Sequence, residues 1–191
     1  MKQTNYLDPQ SFDLFIEAIP KLYKPFQRNS MNPGMMQLFF KTLYYCALRV
    51  SEAIQLEKGD IDLERRILRV RRAKTGKNQR TSIPTPLVQA FEAVTQKMPD
   101  GKLFAISRQT AWKYAKEAGR IAGLNIFELQ DKREIDGLWT HAFRKAYAKF
   151  MYEKGAKPAL IDVKLRHEHK SKDMADSTFT YIKPDINALI E

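Results

Sequence analysis

Between Gly59 and Pro84 the hydrophobic period changes from that of a helix to that of a strand, which limits the folds open to this chain. In Ile67-Leu68-Arg69-Val70-Arg71-Arg72 apolar and cationic residues alternate, so one face of a strand is apolar and the other basic. Thr81-Ser82-Ile83 supplies a return strand. The connecting Lys74-Thr75-Gly76-Lys77-Asn78 is a turn in which Gly76 can take a positive φ. A small antiparallel hairpin is therefore inserted among helices.

The flanking segments carry the 3.6-residue period. Asp8-Pro9 is a cap and first turn for a helix whose stripe is Phe12, Phe15, Ile16 and Ile19, with Pro20 and Pro25 ending it. A second helix runs from about Pro33 to Ala47, with Met35, Leu38, Phe39, Leu43 and Cys46 expected inside. It is apolar on more than one face, as a central helix would be. Ser51-Glu52 opens a short further helix, Thr85-Pro86 caps one with the stripe Leu87, Phe91 and Val94, and Ser107 caps another reaching about Gly123. In that last one Ala111, Tyr114, Ala115 and Ala118 face inward. Thr140 caps a helix that ends at Gly155, Pro158 opens one reaching about Arg166, and a last short helix follows Pro184. The expected fold is mainly α with a small antiparallel β-sheet, an α+β class. Neither a repeat nor a Gly/Ser linker divides residues 1–191, so one domain is expected.

Composition limits the partners. The chain of 191 residues has a net charge of +11 and a pI near 9.7. A protein this basic faces a polyanion, nucleic acid before an anionic membrane, because no basic amphipathic helix stands apart from the globular pattern. Its 43% hydrophobic content excludes global disorder. Cys46 is alone, so there is no disulfide framework and a reducing interior suits it. Neither a bilayer-length apolar run nor the centre of a signal peptide is evident, and the expected location is cytoplasmic and DNA-associated.

Several residues carry candidate chemistry. Arg49 closes an apolar helix and is followed by Glu52, which could orient its guanidinium; the bland alternative is a solvated cation favoured by the helix dipole. From Arg65 to Arg80 there are eight Lys or Arg residues and no acid. Such a run is either a charge-guarded edge strand or a hairpin laid on nucleic acid, and the net charge favours the second. His141 and Arg144 lie three apart on one helix face, and singly they read as a capping histidine and a surface arginine. His167 and His169 form a His-x-His pair without a carboxylate or thiol cluster at ligand spacing, so no metal site is expected. Tyr181 alone would be an interface aromatic.

Taken in order, these motifs form a recognisable set. Ala-Leu-Arg49-Val-Ser-Glu52, Lys74-Thr-Gly-Lys in a hairpin ending Ser-Ile-Pro-Thr-Pro, Thr-His141-Ala-Phe-Arg144-Lys, Leu-Arg-His167 and Thr-Phe-Thr-Tyr181 resemble the tyrosine recombinase (phage integrase) family. The resemblance covers essentially the whole chain as that family's C-terminal catalytic domain, without the N-terminal DNA-clamping domain that most members carry. It implies a site-specific recombinase or integrase that cuts and rejoins DNA through a 3′-phosphotyrosine, with neither metal nor cofactor. Arg49 and Arg144 would clamp the scissile phosphate, and Lys74 would protonate the leaving 5′ oxygen. His141 would assist proton transfer, His167 would donate to the phosphate, and Tyr181 would attack phosphorus. Glu52 would support the site from behind. The hairpin residues Arg69, Arg71, Arg72, Lys77 and Arg80, with Lys145 beside Arg144, are the expected DNA-binding residues.

Two positions depart from the family pattern. Arg166 stands where the family usually has Gly, and the stretch from His167 to Tyr181 is longer than usual, with Glu168, Asp173 and Asp176 in it. His167 and His169 therefore both remain candidates for the phosphate contact. The implied partners are double-stranded DNA and further copies of the chain in a synaptic oligomer. The competing readings are a type IB topoisomerase-like relaxing activity and a DNA-binding protein without turnover.

Overall fold

The computed structural model describes residues 7–22, 31–71, 79–124, 128–130, 133–135 and 141–165. The chain opens with α1 (Pro9–Ala18), whose cap Asp8 accepts hydrogen bonds from the Ser11 N–H and hydroxyl, both at 2.9 Å. Pro20 does not stop the chain's coiling at once, because a 3₁₀ turn carries it on through Ile19–Leu22. Pro25 lies outside the described residues. Helix α2 (Pro33–Tyr45) starts at Asn32, whose side chain accepts from the Met35 N–H. It is the central helix, packed against α1, against the short α3 (Val50–Ile54), and against α4 (Thr85–Lys97) and α6 (His141–Glu153). Its inner face includes Met36 and Phe40, while Met35, expected inside, is half-buried. A residue surrounded by helices on several sides gives a two-residue ambiguity that a single stripe does not.

The hairpin forms as the alternation requires. Strands β2 (Ile67–Val70) and β3 (Gln79–Ser82) pair antiparallel with Leu68 opposite Thr81 and Arg69 opposite Arg80. Leu68 and Val70 are fully buried and Arg69 is exposed. A two-residue strand β1 (Ile61–Asp62) adds a third member on the far side of β2, too short to announce itself by periodicity. A second ribbon, β4 (Glu128–Gln130) with β5 (Arg133–Ile135), was also not expected from the pattern. So the small sheet has three strands, and a separate two-stranded ribbon accompanies it.

Helix α4 is capped differently from the expectation: Pro84 occupies the cap and Thr85 is the first helical residue. Helix α5 (Arg108–Ile121) begins as expected, with the Ser107 hydroxyl accepting the Thr110 N–H at 3.0 Å. Tyr114, expected inside α5, is half-buried. Helix α7 (Pro158–Leu165) closes the described chain. Among the described residues no helix is long and apolar enough to cross a membrane.

The core is aromatic where α1, α2 and α6 meet. Phe143 on α6 contacts Phe15 at a ring-centroid distance of 5.1 Å, Phe40 at 5.2 Å and Phe12 at 6.2 Å. Phe15 and Phe40 meet edge to face at 4.9 Å. These rings bury large areas in mutually favourable orientations, so they fix how α6 lies on α2. A smaller apolar cluster of Ala47, Ala148, Ile161 and Leu165 joins α6 and α7 to the end of α2. Phe143→Ala should therefore lose about 3–5 kcal/mol of unfolding free energy, whereas Leu160→Ala at 64% exposure should change it by less than about 0.5 kcal/mol; urea titration of both variants measures the difference.

Candidate active site

The site begins where α2 stops. After Tyr45 the chain reverses through Ala47, whose φ of 51° lies in the left-handed region, and buried Leu48 leads to Arg49 at the cap of α3. Glu52, one turn into α3, accepts the Arg49 backbone N–H at 2.8 Å and its guanidinium Nη1–H at 2.9 Å. Its side chain is 5% exposed and that of Arg49 is 36% exposed. One carboxylate thus closes the helix start and holds the guanidinium, leaving the cation at the surface with its direction set.

Arg144 reaches the same neighbourhood from the other end of the chain. It follows Phe143 on α6, so the packing of that ring into the aromatic core fixes which way Arg144 turns. Its side chain is 1% exposed. Nη1 donates to the Ala47 carbonyl at 2.8 Å, and Nη2 donates to the carbonyl of Leu165, the last residue of α7. Ala47 is two residues before Arg49, a separation of at most about 7 Å along the chain. The structure therefore brings Arg49 and Arg144 to adjoining positions, with Glu52 behind the first.

Helix α6 opens at His141, which places its backbone three residues before Arg144 on the same helix. Leu165 is directly followed in sequence by the Arg166-His167-Glu168-His169 stretch. Arg72, Lys74, Lys77, His167, His169 and Tyr181, together with the His141 side chain, lie outside the described residues.

The remaining sequence candidates divide by environment. Arg69 and Arg80 stand opposite each other on the exposed face of the hairpin. Like charges directly across a ladder repel, so this pair is a receptive place for an anion. Arg71 is different: its guanidinium lies between Glu57 and Asp60, 2.8 Å from Glu57 Oε1 and 3.1 Å from Asp60 Oδ1. Hydrogen bonding to Glu57 comes first among the causes that raise its pKa above the ordinary arginine value, and the Asp60 charge adds to it. Lys145 is half-buried, and loss of solvent holds its ammonium pKa below the usual lysine range.

Two tyrosines near this region compete with Tyr181 for the role of nucleophile. Burial above all pushes the phenols of Tyr147 and Tyr45 above the ordinary value of 10.0, and at Tyr45 the negative charge of Asp13 adds to it. Both are therefore harder to ionise than a free phenol, the opposite of what attack on phosphorus needs. Tyr147 also lies under Lys164, whose Nζ is 5.7 Å from the ring centroid and 2.5 Å from Ser82 Oγ. This lysine ties α7 to β3, a link between distant segments that no sequence pattern marks.

One surface was missed from the sequence although its signal was present. The inward stripe of Ala111, Ala115 and Ala118 on α5 implies an outward face, and that face carries Arg108, Trp112, Lys113 and Lys116. Trp112 is 47% exposed, and the Lys116 ammonium sits 5.7 Å from its ring centroid. A large aromatic left in water among cations marks an interaction face.

Comparison with known proteins agrees with this architecture. The family model described as "Phage integrase family" matches residues 13–181. Among curated proteins, tyrosine recombinase XerA of Pyrococcus furiosus is 29% identical over 162 residues, covering 79% of this chain and 51% of the relative. Tyrosine recombinase XerD of Mycobacterium tuberculosis is 28% identical over 140 residues, covering 65% of this chain and 42% of the relative. The chain thus spans about half the length of the curated relatives it matches. Among solved structures, the XerH site-specific recombinase bound to its difH substrate after cleavage superposes with a TM-score of 0.72 at 18% identity, over 97% of this chain and 51% of that one. XerA recombinase superposes with a TM-score of 0.67 at 21% identity, over 96% and 62%. The fold is that of the tyrosine recombinase catalytic domain, and the chain belongs to the phage integrase family.

Proposed function

We propose that this chain is the catalytic domain of a site-specific DNA recombinase or integrase, cutting and rejoining strands by transesterification through a tyrosine. The observation that supports the proposal is the contact of Arg144 with the turn that leads into Arg49, two segments distant in the sequence. Arg144 is hydrogen-bonded to the carbonyl two residues before Arg49, 97 residues away along the chain. Two guanidiniums on one phosphate would neutralise its non-bridging oxygens and gain strength as the pentacoordinate transition state adds charge.

The chemistry assigned to the other residues is balanced without a metal. The Tyr181 oxygen forms a bond to phosphorus, and the bond from phosphorus to the 5′ oxygen breaks. The phenolic proton passes to His141, and Lys74 supplies one to the departing 5′ oxygen. His167 or His169 donates a hydrogen bond to the phosphate. Reversal by a different 5′ hydroxyl rejoins the strand, so the phosphodiester energy is kept in the phosphotyrosine. A free phenol has a pKa of about 10, so surrounding cations are needed before it attacks at neutral pH. Double-stranded DNA is the partner, gripped by the Arg69 and Arg80 pair and by the cationic face of α5, and cleavage occurs in an oligomer of several copies.

Incubation with a nicked suicide substrate should give a covalent protein–DNA adduct that Tyr181→Phe abolishes, and the trapped peptide should contain Tyr181. An adduct on Tyr147, or none at all, would refute the assignment. Plasmids with two sites against one site separate recombination from simple relaxation. Arg49→Ala should cut adduct formation by roughly a hundredfold or more while shifting unfolding free energy by only about 1 kcal/mol, since half of what Glu52 holds is backbone. Arg144→Ala should lose the adduct and also about 2–5 kcal/mol of stability, because it vacates a buried site and strands two carbonyls. DNA affinity should fall steeply with salt, and Arg69→Gln should lower the slope of log K against log salt by about 0.9; a flat response would remove the hairpin from the DNA.

A further inference from the structure

Arg144 is held at two points, and the residues beside those points meet at a third. Its Nη1 donates to the Ala47 carbonyl and its Nη2 to that of Leu165. The residue before Ala47 is Cys46, whose thiol donates weakly to the Ser82 carbonyl at 3.8 Å. The residue before Leu165 is Lys164, whose Nζ donates to the same carbonyl at 3.4 Å and to the Ser82 hydroxyl at 2.5 Å. A closed circuit of contacts therefore runs from Arg144 through the turn after α2 to the end of β3, and returns through the end of α7. Lys164 is half-buried, and its ammonium also lies 5.7 Å from the ring centroid of Tyr147, three residues after Arg144 on the same face of α6.

The two arms of this circuit differ in firmness. The turn after α2 continues a central helix and runs into Leu48, which is fully buried. By contrast, α7 has eight residues, too few to be a stable helix without tertiary contacts. Its buried side chains Ile161 and Leu165 share a small cluster with Ala47 and Ala148. Such apolar contacts are non-directional, so they hold the helix against α6 but restrict its rotation and slide only weakly. A charged hydrogen bond to a fixed partner restricts both. Ser82 is such a partner, because it pairs with Ile67 in the β2–β3 ladder and is followed by buried Ile83.

We propose that Lys164, acting through Ser82, is a positioning residue that sets the end of α7, and with it the Leu165 carbonyl, where the Arg144 guanidinium is seated. This rests on the assignment of Arg144 as a phosphate clamp in the proposed reaction. A guanidinium is planar, and with each terminal nitrogen bonded to a carbonyl its plane is defined by the two acceptors. Moving one acceptor turns the plane, and a misplacement of about 1 Å costs about a hundredfold in rate where geometry is critical. Lys164 is not itself a phosphate contact in this arrangement, since its ammonium is turned to β3.

The test compares Lys164→Met, Lys164→Arg and Ser82→Ala with Leu160→Ala, which alters an exposed side chain of the same helix. Three quantities are measured: the rate of adduct formation at saturating nicked DNA, the salt slope of DNA binding, and the unfolding equilibrium constant in urea. Lys164→Met should slow the adduct by about tenfold or more, and Ser82→Ala should act in the same direction. Lys164→Arg keeps a donor for Ser82 and should recover most of the rate, while Leu160→Ala leaves it unchanged. None should alter the salt slope. In an Arg144→Lys background, which keeps the charge but removes the fork, the effect of Lys164→Met on unfolding should be smaller by about twofold or more. A salt slope lowered by about 0.9 in Lys164→Met would make this lysine a phosphate contact and overturn the inference. So would an adduct rate that does not fall, or unfolding effects that simply add. If Lys164→Met does not fold, Ser82→Ala, at an exposed position, gives the same three readings. If the unaltered chain forms no adduct, the enzymatic reading fails, and the unfolding comparison still decides whether Lys164 seats Arg144.

Discussion

Arg144 carries a full charge into a place from which water is excluded, and the arrangement of three helices answers to that charge. An isolated buried cation costs several kcal/mol, so it survives only if protein dipoles replace its hydration. Here the replacement includes two carbonyls: that of Leu165, which closes α7, and that of Ala47, in the turn after α2. The Leu165 carbonyl, at the end of α7, lacks an intrahelical partner and lies at the negative pole of that helix's dipole, while the Ala47 carbonyl belongs to the turn beyond α2. One guanidinium therefore holds both the end of α7 and the turn after α2 to α6. The apolar cluster of Ala47, Ala148, Ile161 and Leu165 encloses this contact and keeps its dielectric low.

The turn at Ala47 follows from this. A left-handed residue is a natural way to end a helix, and glycine would adopt it with less strain than alanine. Alanine at φ 51° costs about 1–2 kcal/mol, but its methyl is buried in the cluster and its carbonyl meets Arg144. The same reversal delivers Arg49 two residues later to the cap of α3, where Glu52 takes hold of it. Local strain, a long-range hydrogen bond and a capping carboxylate thus produce one result, two arginines at adjoining positions with different degrees of exposure.

Much of this could be read from the residues alone. The stripes of α1, α2, α4 and α5 follow the 3.6 period, and the caps Asp8 and Ser107 act as their chemistry suggests. The Arg49 and Glu52 pair was legible because both partners sit within one turn of helix. What was not legible depends on residues far apart in sequence. Arg144 read as a surface arginine by itself, because nothing near it in the chain reveals carbonyls supplied from 97 residues before and 21 after. Strands of two or three residues, as in β1, β4 and β5, are too short for alternation to register.

The run of cations from Arg65 to Arg80 makes the same point about charge. Read in sequence, it holds no acid and looks like a uniform basic arm. In the folded chain Arg71 is opposed by Glu57 and Asp60, which precede the run and reach it only because β1 lies beside β2. Arg69 is opposed by Arg80, a like charge brought across by the β2–β3 register. Among the described residues, Arg144 meets carbonyls, Arg49 and Arg71 meet carboxylates, and Arg69 meets another arginine. Within the hairpin, the Arg69–Arg80 pair leaves positive potential that a polyanion can relieve, and Arg71 does not. Net charge therefore indicates what kind of partner the surface suits, whereas strand register determines which cations remain to meet it.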